Sequence, residues 1–326
     1  MPFDPLHLDP LLVPKPWGGR RLARLGRRLP AGEQIGESWD VADLGPGVTS
    51  VEDPCSRVAV GPCAGRSLAD LIAADATALL GGVATPDGRF PLLVKTLDAR
   101  EHLSVQVHPP QAYVDEHPEV HLKTESWVVV DADPGAYLML GFRDGVTLDD
   151  VRGALGTPAI AELLRRVPAR AGDVHHLPAG LAHALGAGVM VAEVQTPSDT
   201  TFRLYDWTEE YGRAPRELHL EAGMAAIELG WGHNLAGPDA TRWQGDHPTT
   251  IVDTAYYRID RRRLSTGEAR RYAGGVPCVL LVVDGRVAGD DLAYPLDAGG
   301  VVLLPASWTG TLTATATATV LEVFAA

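Results

Sequence analysis

Residues 171–195 read AGDVHHLPAGLAHALGAGVMVAEVQ and alternate short apolar runs with turns rich in glycine and proline. This alternation is typical of the strands of a compact β-barrel. A similar stretch, AGGVVLLPASWTGTLTATATATVLEVF, occupies residues 298–324. Both contain a glycine, a Leu-Pro-Ala segment, a turn and a final β-prone run, at a separation too long for a solenoid repeat. The sequence therefore predicts two related β-barrels in tandem.

Helical patterns are confined to a few stretches between the predicted strands. Apolar residues recur at helical spacing over residues 67–80, behind a serine that can cap the first turn. The same period returns over residues 147–166, with Thr147 as a possible N-cap. We therefore predict a mostly β fold with a few surface helices.

The apolar pattern weakens after the first predicted barrel and strengthens again near residue 250. The weak region indicates a small connector of helix and loop. The predicted division is a first barrel with helical insertions at residues 1–213, a connector at 214–249 and a second barrel at 250–326. The second barrel has Trp308 near the position that His183 takes in the first, so we expect it to bind no metal.

The composition limits the classes of partner. The chain has 326 residues, 45% of them hydrophobic, and a formal net charge of −14. Nucleic-acid surfaces depend on lysine and arginine to neutralise phosphates, so this charge argues against such a partner. A few convergent cations inside a pocket can still bind one small anion, because salt screens the field of the negative surface charges that lie far from the pocket.

The cysteines and the apolar runs indicate where the protein resides. Three cysteines, Cys55, Cys63 and Cys278, form no C-x-x-C pair, which suits reduced thiols. The first residues show no charged leader followed by a long apolar core, and no apolar run reaches about 18 residues. We therefore expect a cytoplasmic protein with no membrane partner.

Four side chains form a candidate metal site. Gln106 and His108 lie two apart in the β-prone segment LSVQVHP, so both point to the same face of a strand. Glu125 follows in TESWVVV, and His183 in LPAGLAHALGAG is a possible fourth ligand. Two imidazole nitrogens and two oxygens suit a divalent transition metal, most simply Zn²⁺, with a position open for water or substrate.

Spacing alone leaves other interpretations of these residues open. An isolated Gln-x-His in a strand is more often a hydrogen-bonded core pair than a ligand pair. Five further histidines lie within reach in the sequence: His102, His117, His121, His175 and His176. Adjacent strand residues face opposite ways, so at most one of His175 and His176 faces the interior of a barrel.

Seven segments together resemble a known family. They are KPWGG, IGESW, PLLVKTLDA, LSVQVHP, LKTESW, GDVHHLPAGLAHALGAG and AEVQTPSDTTFRLYDW, which cover roughly residues 10–210. In order and separation they are similar to the class I mannose-6-phosphate isomerases, metal-dependent members of the cupin superfamily. The resemblance implies tandem cupin-type β-barrels of jelly-roll form.

The resemblance also implies roles for residues at matching positions. Gln106, His108, Glu125 and His183 would be the zinc ligands. Arg203 would have a catalytic or substrate-binding role, and Lys123, Lys95 and Ser104 would line the pocket. Lysine and serine can donate to a phosphate, and the arginine fork can hold an anionic oxygen. An ion pair of Arg203 with Asp199 or Asp206, and a purely structural Lys95, are the alternatives.

The implied reaction interconverts mannose 6-phosphate and fructose 6-phosphate through a cis-enediol. A base removes the C2 proton, and a metal or cation stabilises the charge that develops on the O1 and O2 oxygens. The sequence does not identify the base, for which Glu193, Glu37, Asp199, a lysine and bound water are candidates. We place Lys123 and Glu193 with Arg203 among the catalytic residues, and Glu37 with Lys95 and Ser104 among those that bind substrate. The oligomeric state is left open.

Four positions depart from the family pattern. Ser126 stands where many relatives have cysteine, His175-His176 replaces an aromatic pair, Pro197 replaces asparagine and Phe202 replaces tyrosine. These changes bear on the substrate, because sites built around polar contacts discriminate strongly between ligands. Another sugar or sugar phosphate, or a cupin that binds a sugar phosphate without turnover, are therefore the alternative functions.

Overall fold

The computed structural model describes residues 3–233 and 249–326. Within these ranges the chain is mostly β, as the alternating pattern predicts. The strands before the connector are β1 (Leu11–Gly19), β2 (Ile35–Val41), β3 (Leu93–Ala99), β4 (Val105–Val107), β5 (Glu125–Ala132), β6 (Tyr137–Phe142), β7 (Leu164–Pro168), β8 (Val174–Leu177), β9 (His183–Ala184), β10 (Val189–Gln195) and β11 (Phe202–Tyr205).

These strands form the two sheets of the first barrel. A six-stranded sheet has the order β1-β2-β3-β10-β5-β8, and a five-stranded sheet has the order β11-β4-β9-β6-β7. All the pairings are antiparallel. Because side chains alternate along each strand, every second residue faces the space between the two sheets.

The second barrel follows the connector. Its strands are β12 (Thr249–Asp253), β13 (Tyr257–Leu264), β14 (Ala269–Tyr272), β15 (Cys278–Ala288), β16 (Leu296–Asp297), β17 (Val301–Leu304) and β18 (Gly310–Ala325). The long strand β18 pairs with β13, β14 and β15 and is the centre of this sheet. The predicted mostly β fold with tandem barrels is confirmed.

The two barrels share an apolar interface. Val128, Val174 and Val194 on the outer face of the six-stranded sheet belong to the same buried cluster as Ile259 and Leu321 of the second barrel. Burial of such aliphatic side chains stabilises the contact by about 1.5–3 kcal/mol each. The second barrel is therefore packed against the reverse side of strands whose inner face lines the first barrel.

The helices are short and lie between strands. Their ranges are α1 (Leu68–Leu80), α2 (Gln111–Glu116), α3 (Leu148–Ala154), α4 (Ala159–Leu163), α5 (Thr208–Tyr211) and α6 (Leu220–Ala226), with 3₁₀ turns at Arg21–Leu25, Pro86–Gly88 and Leu229–His233. Among the described residues, no helix is both long enough and apolar enough to span a membrane.

The helix starts follow the predicted capping residues, but one helix is shorter than predicted. Ser67 accepts from the Asp70 amide and Thr147 accepts from the Asp150 amide, each within a capping box. The predicted helix at residues 147–166 is wrong at its end, because residues 164–168 form β7 and pair with β6. Pairing at the sheet edge outweighs local helical periodicity there.

The predicted connector is only partly visible. It contains α6 and the 3₁₀ turn that ends at His233, and the rest of its range up to residue 248 lies outside the described residues. The exact domain boundaries therefore stay a prediction. The three cysteines are free thiols.

Candidate metal centre and active-site cavity

The four predicted ligands lie together between the two sheets of the first barrel. Gln106 on β4 and His183 on β9 are direct cross-strand partners, and His108 follows β4 by one residue. Glu125 begins β5 on the opposite sheet. Its Oε2 lies 3.3 Å from Nε2 of His108 and its Oε1 lies 3.3 Å from Nε2 of His183.

The two imidazoles are oriented as metal ligands usually are. Nδ1 of His108 lies 3.0 Å from the Thr200 carbonyl, and Nδ1 of His183 lies 2.8 Å from the Leu181 carbonyl. A carbonyl only accepts, so each Nδ1 carries the proton and each Nε2 has a lone pair that faces Glu125 rather than an N–H group. The backbone thus fixes the tautomer that binds a metal.

The buried polar atoms of this cluster fit a cation. Within residues 3–233 and 249–326, Nε2 of His108 and both carboxylate oxygens of Glu125 are buried without a hydrogen bond. Burial, reinforced by the charge of Lys123, lowers the pKa of His108 to about 3, so its ring is neutral. Orphaned buried acceptors are costly unless something pairs with them, and a divalent metal would satisfy all three atoms.

The side-chain amide of Gln106 must rotate by a half-turn before its oxygen faces the same point as the His108, Glu125 and His183 ligand atoms. Its Nε2 lies 3.1 Å from Nε2 of His183, while its Oε1 accepts from the Ser104 hydroxyl at 3.1 Å. The oxygen, which is the metal-binding atom of an amide, therefore faces Ser104 in this arrangement. Rotating the amide exchanges the two atoms, and the Ser104 hydroxyl can then accept from the nitrogen.

The competing histidines lie apart from the cluster. His175 pairs with Trp127 across β8 and β5, and the neighbouring His176 pairs with Ser126 on the opposite face. His102 packs against Trp207, with ring centroids 4.8 Å apart. Among the described histidines, only His108 and His183 meet a carboxylate in a three-residue cluster. The choice that spacing left open is therefore made by the fold.

A cavity of about 120 Å³ adjoins the metal centre. Seven predicted site residues line this cavity. Six were assigned to catalysis or substrate binding and one, Gln106, to the metal: Glu37, Lys95, Ser104, Lys123, Glu193, Arg203 and Gln106. The structure thus brings the whole predicted site into one place. Its apolar wall consists of Trp17, Leu97, Leu103 and Trp127.

Buried charges alternate along one wall of the cavity. Lys15 Nζ lies 3.1 Å from one oxygen of Glu37, and Lys95 Nζ lies 3.4 Å from the other. Lys95 Nζ also lies 3.2 Å from Oε1 of Glu193, whose second oxygen accepts from the Trp127 indole N–H at 2.8 Å. The charge of Lys95 therefore compensates two buried carboxylates. These two ion pairs hold its side chain in place whether or not it contacts substrate.

The two carboxylates titrate differently. Burial raises the pKa of Glu193 to about 7, and the charge of Glu125 adds to this effect. Burial also opposes ionisation of Glu37, but the charges of Lys15 and Lys95 outweigh it and hold that pKa well below its usual range. Glu193 is therefore able to gain and lose a proton near neutral pH, whereas Glu37 stays ionised.

Arg203 presents a free cation to the cavity. It lies on β11 directly across from Gln106. Among the described residues no carboxylate lies within 4 Å of its guanidinium, and its buried Nε has no hydrogen bond. Burial and the neighbouring Arg216 lower the pKa of Arg203. The alternative of an ion pair with Asp199 or Asp206 is wrong, because neither described carboxylate lies within 4 Å of the Arg203 guanidinium, and Asp206 pairs with Arg216 instead.

Several cavity residues were not predicted as site residues. They are Lys15, Trp17, Ser50, Trp127, Thr201 and Arg216, along with Asp199, which was considered only as a base or an ion-pair partner. Lys15 and Trp17 belong to the segment KPWGG, whose density of charged and aromatic residues was the available signal. Arg216 lies in a stretch with no periodicity, and nothing in the sequence connects it to the site.

The fold and the site define a class of protein, a cupin-type enzyme with a buried His-Glu-His cluster that could hold a metal and a cation-rich pocket. Comparisons with known proteins then identify the family within this class. A family model described as the catalytic domain of type I phosphomannose isomerase matches residues 7–137. Mannose-6-phosphate isomerase of Streptococcus mutans is 33% identical over 306 residues, covering 93% of this chain and 92% of that protein.

Two Bacillus subtilis comparisons agree. The mannose-6-phosphate isomerase ManA is 32% identical over 310 residues, with 94% of each chain covered. The crystal structure of the Bacillus subtilis mannose 6-phosphate isomerase has a TM-score of 0.79 at 27% identity and covers 98% of this chain and 99% of its own. The chain belongs to the type I phosphomannose isomerase family, which confirms the resemblance and the isomerase class predicted from the motifs.

Proposed function

We propose that the cavity beside His108, Glu125 and His183 is where this chain interconverts mannose 6-phosphate and fructose 6-phosphate. The observation that carries the proposal is the placement of a buried His-Glu-His cluster next to a cavity lined by Arg203, whose guanidinium has no carboxylate within 4 Å among the described residues. The cluster suits a metal, and the guanidinium suits an anionic substrate or a developing enediolate.

The proposed cofactor is one Zn²⁺ per chain, held by Gln106, His108, Glu125 and His183. The donor set supports this choice, because two neutral imidazoles, a carboxylate and an amide oxygen match a borderline cation that accepts nitrogen and oxygen. When bound, zinc would act as a Lewis acid toward the oxygens at C1 and C2 of the open-chain sugar.

Glu193 is the proposed base that removes the C2 proton and returns it to C1. It is buried on the cavity wall, and its Oε1 lies 3.2 Å from Lys95 Nζ but makes no hydrogen bond among the described residues. A base works best when its pKa lies near the working pH, and burial places Glu193 there. Glu37 is the weaker candidate because Lys15 and Lys95 favour its ionised form.

The cations of the cavity have separate proposed tasks. Lys95 Nζ, which lies 3.2 Å from Oε1 of Glu193, orients this base and stabilises its ionised form inside the barrel. Lys123 Nζ lies 3.2 Å from Oε2 of Glu125. Its N–H groups therefore lie beside the proposed metal site, where they can donate to a substrate oxygen. No described carboxylate lies within 4 Å of the Arg203 guanidinium, so its N–H groups are available for the oxygen that gains charge as the enediol forms.

The departures from the family pattern do not reach the cavity lining. Phe202 is buried in the cluster of the five-stranded sheet and packs against Tyr113 with ring centroids 5.4 Å apart. Its neighbour Arg203 alternates to the cavity side. Pro197 is also absent from the residues that line the cavity within the described ranges. This placement supports the family's sugar phosphate over a different sugar.

The test is an isomerase assay with purified, metal-replete protein. Mannose 6-phosphate should be converted to fructose 6-phosphate, and in deuterated water the C2 hydrogen should exchange with solvent. A chelator should abolish both, and Zn²⁺ should restore them. Unphosphorylated mannose and other aldose phosphates serve as the comparison panel. Binding of mannose 6-phosphate without conversion or exchange would overturn the proposal.

Two broader features stay proposals as well. The chain is proposed to act in the cytoplasm as a catalytic barrel at residues 1–213, a connector at 214–249 and a supporting barrel at 250–326. The three sheets and their shared core support the division. Limited proteolysis should cut first between residues 214 and 249; earlier cleavage within either barrel would contradict it.

A further inference from the structure

A hydroxyl of the second barrel contacts the strand that carries a proposed metal ligand. The Tyr257 hydroxyl lies 2.9 Å from Ser126 Oγ, and Ser126 Oγ lies 3.0 Å from Nδ1 of His176. Tyr257 begins β13 in the second barrel, whereas Ser126 lies on β5 directly after Glu125. Both Ser126 and Tyr257 are fully buried.

The alternation of β5 gives this contact its significance. Glu125 and Trp127 point into the first barrel, toward the metal centre and Glu193, while Ser126 and Val128 point outward. The outward side chains meet the second barrel in an apolar interface. A hydroxyl buried there needs partners, and Tyr257 and His176 are the two that the interface provides.

The contact therefore fixes the backbone at the residue adjacent to Glu125. The pairing of β5 with β8 and β10 holds the strand from its two edges, at Leu177 and Gln195 beside Glu125. The hydrogen bonds at these two edges lie in the plane of the sheet, so they resist movement perpendicular to it, toward or away from the metal centre, less than movement within the plane. The hydrogen bond from Tyr257 to Ser126 acts along that perpendicular direction, because it joins the outer face of the sheet to the second barrel.

We infer that Tyr257 is a positioning residue, through which the second barrel holds Glu125 in place for the metal by way of Ser126. The inference rests on the metal site of the proposed function. On this inference the second barrel, which lacks the proposed metal ligands, contributes to the activity of the first barrel. Groups that support metal ligands from behind commonly change metal affinity without touching the ion.

The experiment measures Zn²⁺ affinity in the full chain, by competition with a chromophoric chelator and without substrate. Tyr257→Phe removes one hydroxyl and keeps the ring, and Ser126→Ala removes its partner. Each should raise the zinc dissociation constant by about three- to tenfold, the range expected for one buried hydrogen bond. The double variant should show less than the product of the two single effects, because both remove the same bond.

Tyr272→Phe is the matched control, because Tyr272 is a buried tyrosine in the core of the second barrel and packs against Trp308 rather than the first barrel. It should lower the free energy of unfolding without changing zinc affinity. The same pattern for Tyr257→Phe, with an unchanged dissociation constant for zinc, would overturn the inference. If Tyr257→Phe fails to fold, Ser126→Ala gives the same test.

The measurement separates this inference from the proposed function. Protein that binds zinc in a Tyr257-dependent manner but does not isomerise mannose 6-phosphate would contradict the proposed reaction alone. Protein that isomerises normally while Tyr257→Phe and Ser126→Ala leave zinc affinity unchanged would contradict the positioning role alone.

Discussion

Gln106 and Arg203 face each other across the antiparallel strands β4 and β11. Directly opposed residues have side chains about 5 Å apart at their Cβ atoms, so a proposed metal ligand and the unpaired cation of the cavity emerge together. Arg203 follows Gln106 by nearly a hundred positions in the sequence. The strand register, rather than sequence proximity, therefore puts the proposed metal ligand and the guanidinium proposed to hold the substrate anion within reach of each other.

His183→Ala should remove most of the bound metal. The variant loses the imidazole whose Nε2 lies 3.3 Å from Glu125, and loss of a direct ligand should weaken binding by more than the about 10–100-fold typical of supporting residues. Metal analysis after dialysis tests this. His117→Ala, which removes a histidine stacked on Tyr113, is the control. Full metal content in His183→Ala would exclude the proposed ligand set.

Arg203→Lys should lower kcat/KM by about 100- to 1,000-fold while leaving metal content unchanged. Lysine keeps the charge but loses the planar fork of N–H groups, so it should not restore the contact with a developing enediolate. Steady-state kinetics with mannose 6-phosphate measure the effect. Arg152→Lys, on the exposed face of α3, is the control. Activity within threefold of the parent would contradict the proposed role.

Glu193→Gln should lower kcat by about 100- to 10,000-fold with metal retained, because an amide cannot accept the C2 proton. In the parent enzyme, activity should rise with pH as Glu193 ionises near pH 7. Solvent exchange of the C2 hydrogen should be lost together with turnover. Asp199→Asn is the comparison, since Asp199 is the rival carboxylate in the cavity. Loss of exchange in Asp199→Asn alone would make Asp199 the base.

Lys95→Met should destabilise the fold more than Lys15→Met does. Removing Lys95 leaves Glu37 and Glu193 buried without their shared cation, which costs about 3–5 kcal/mol for a broken buried pair. Lys15 contacts Glu37 alone and its side chain is 22% exposed, so its loss should cost about 1 kcal/mol or less. Urea unfolding of the metal-free proteins measures both, and equal losses would contradict the shared role of Lys95.

His175 should make stability fall in mild acid. Burial lowers the pKa of His175 to about 4 from an ordinary value near 6.5, so the unfolded chain binds more protons between these pH values. Stability conferred by this group is therefore complete above about pH 6.5 and is lost as the pH falls toward 4.

Urea unfolding of the metal-free protein and its His175→Gln variant at pH 5 and pH 7.5 tests this expectation. The parent should lose more stability between the two conditions, by about 1–2 kcal/mol. His108 titrates in both proteins, so the difference isolates His175. Parallel losses in the two proteins would show that His175 is not the group responsible.

Local patterns in the sequence predicted the parts of the fold that depend on neighbouring residues. The caps at Ser67 and Thr147 follow from side chains that bond amides three residues on. The end of the predicted helix at residue 166 was wrong, because β7 gains its stability from a distant strand.

The sequence also determined which chemical groups are present and which of them share a strand face. Gln106 and His108 are paired by the two-residue period of a strand, Glu125 and His183 were candidate ligands from the sequence, and the resemblance of seven motifs added Arg203. The tertiary structure grouped His183, rather than His175 or His176, with Glu125, placed Arg216 in the cavity and, within the described ranges, brought no carboxylate within 4 Å of Arg203. Those outcomes depend on register between strands far apart in the chain, and a shift of one residue turns every side chain to the opposite face.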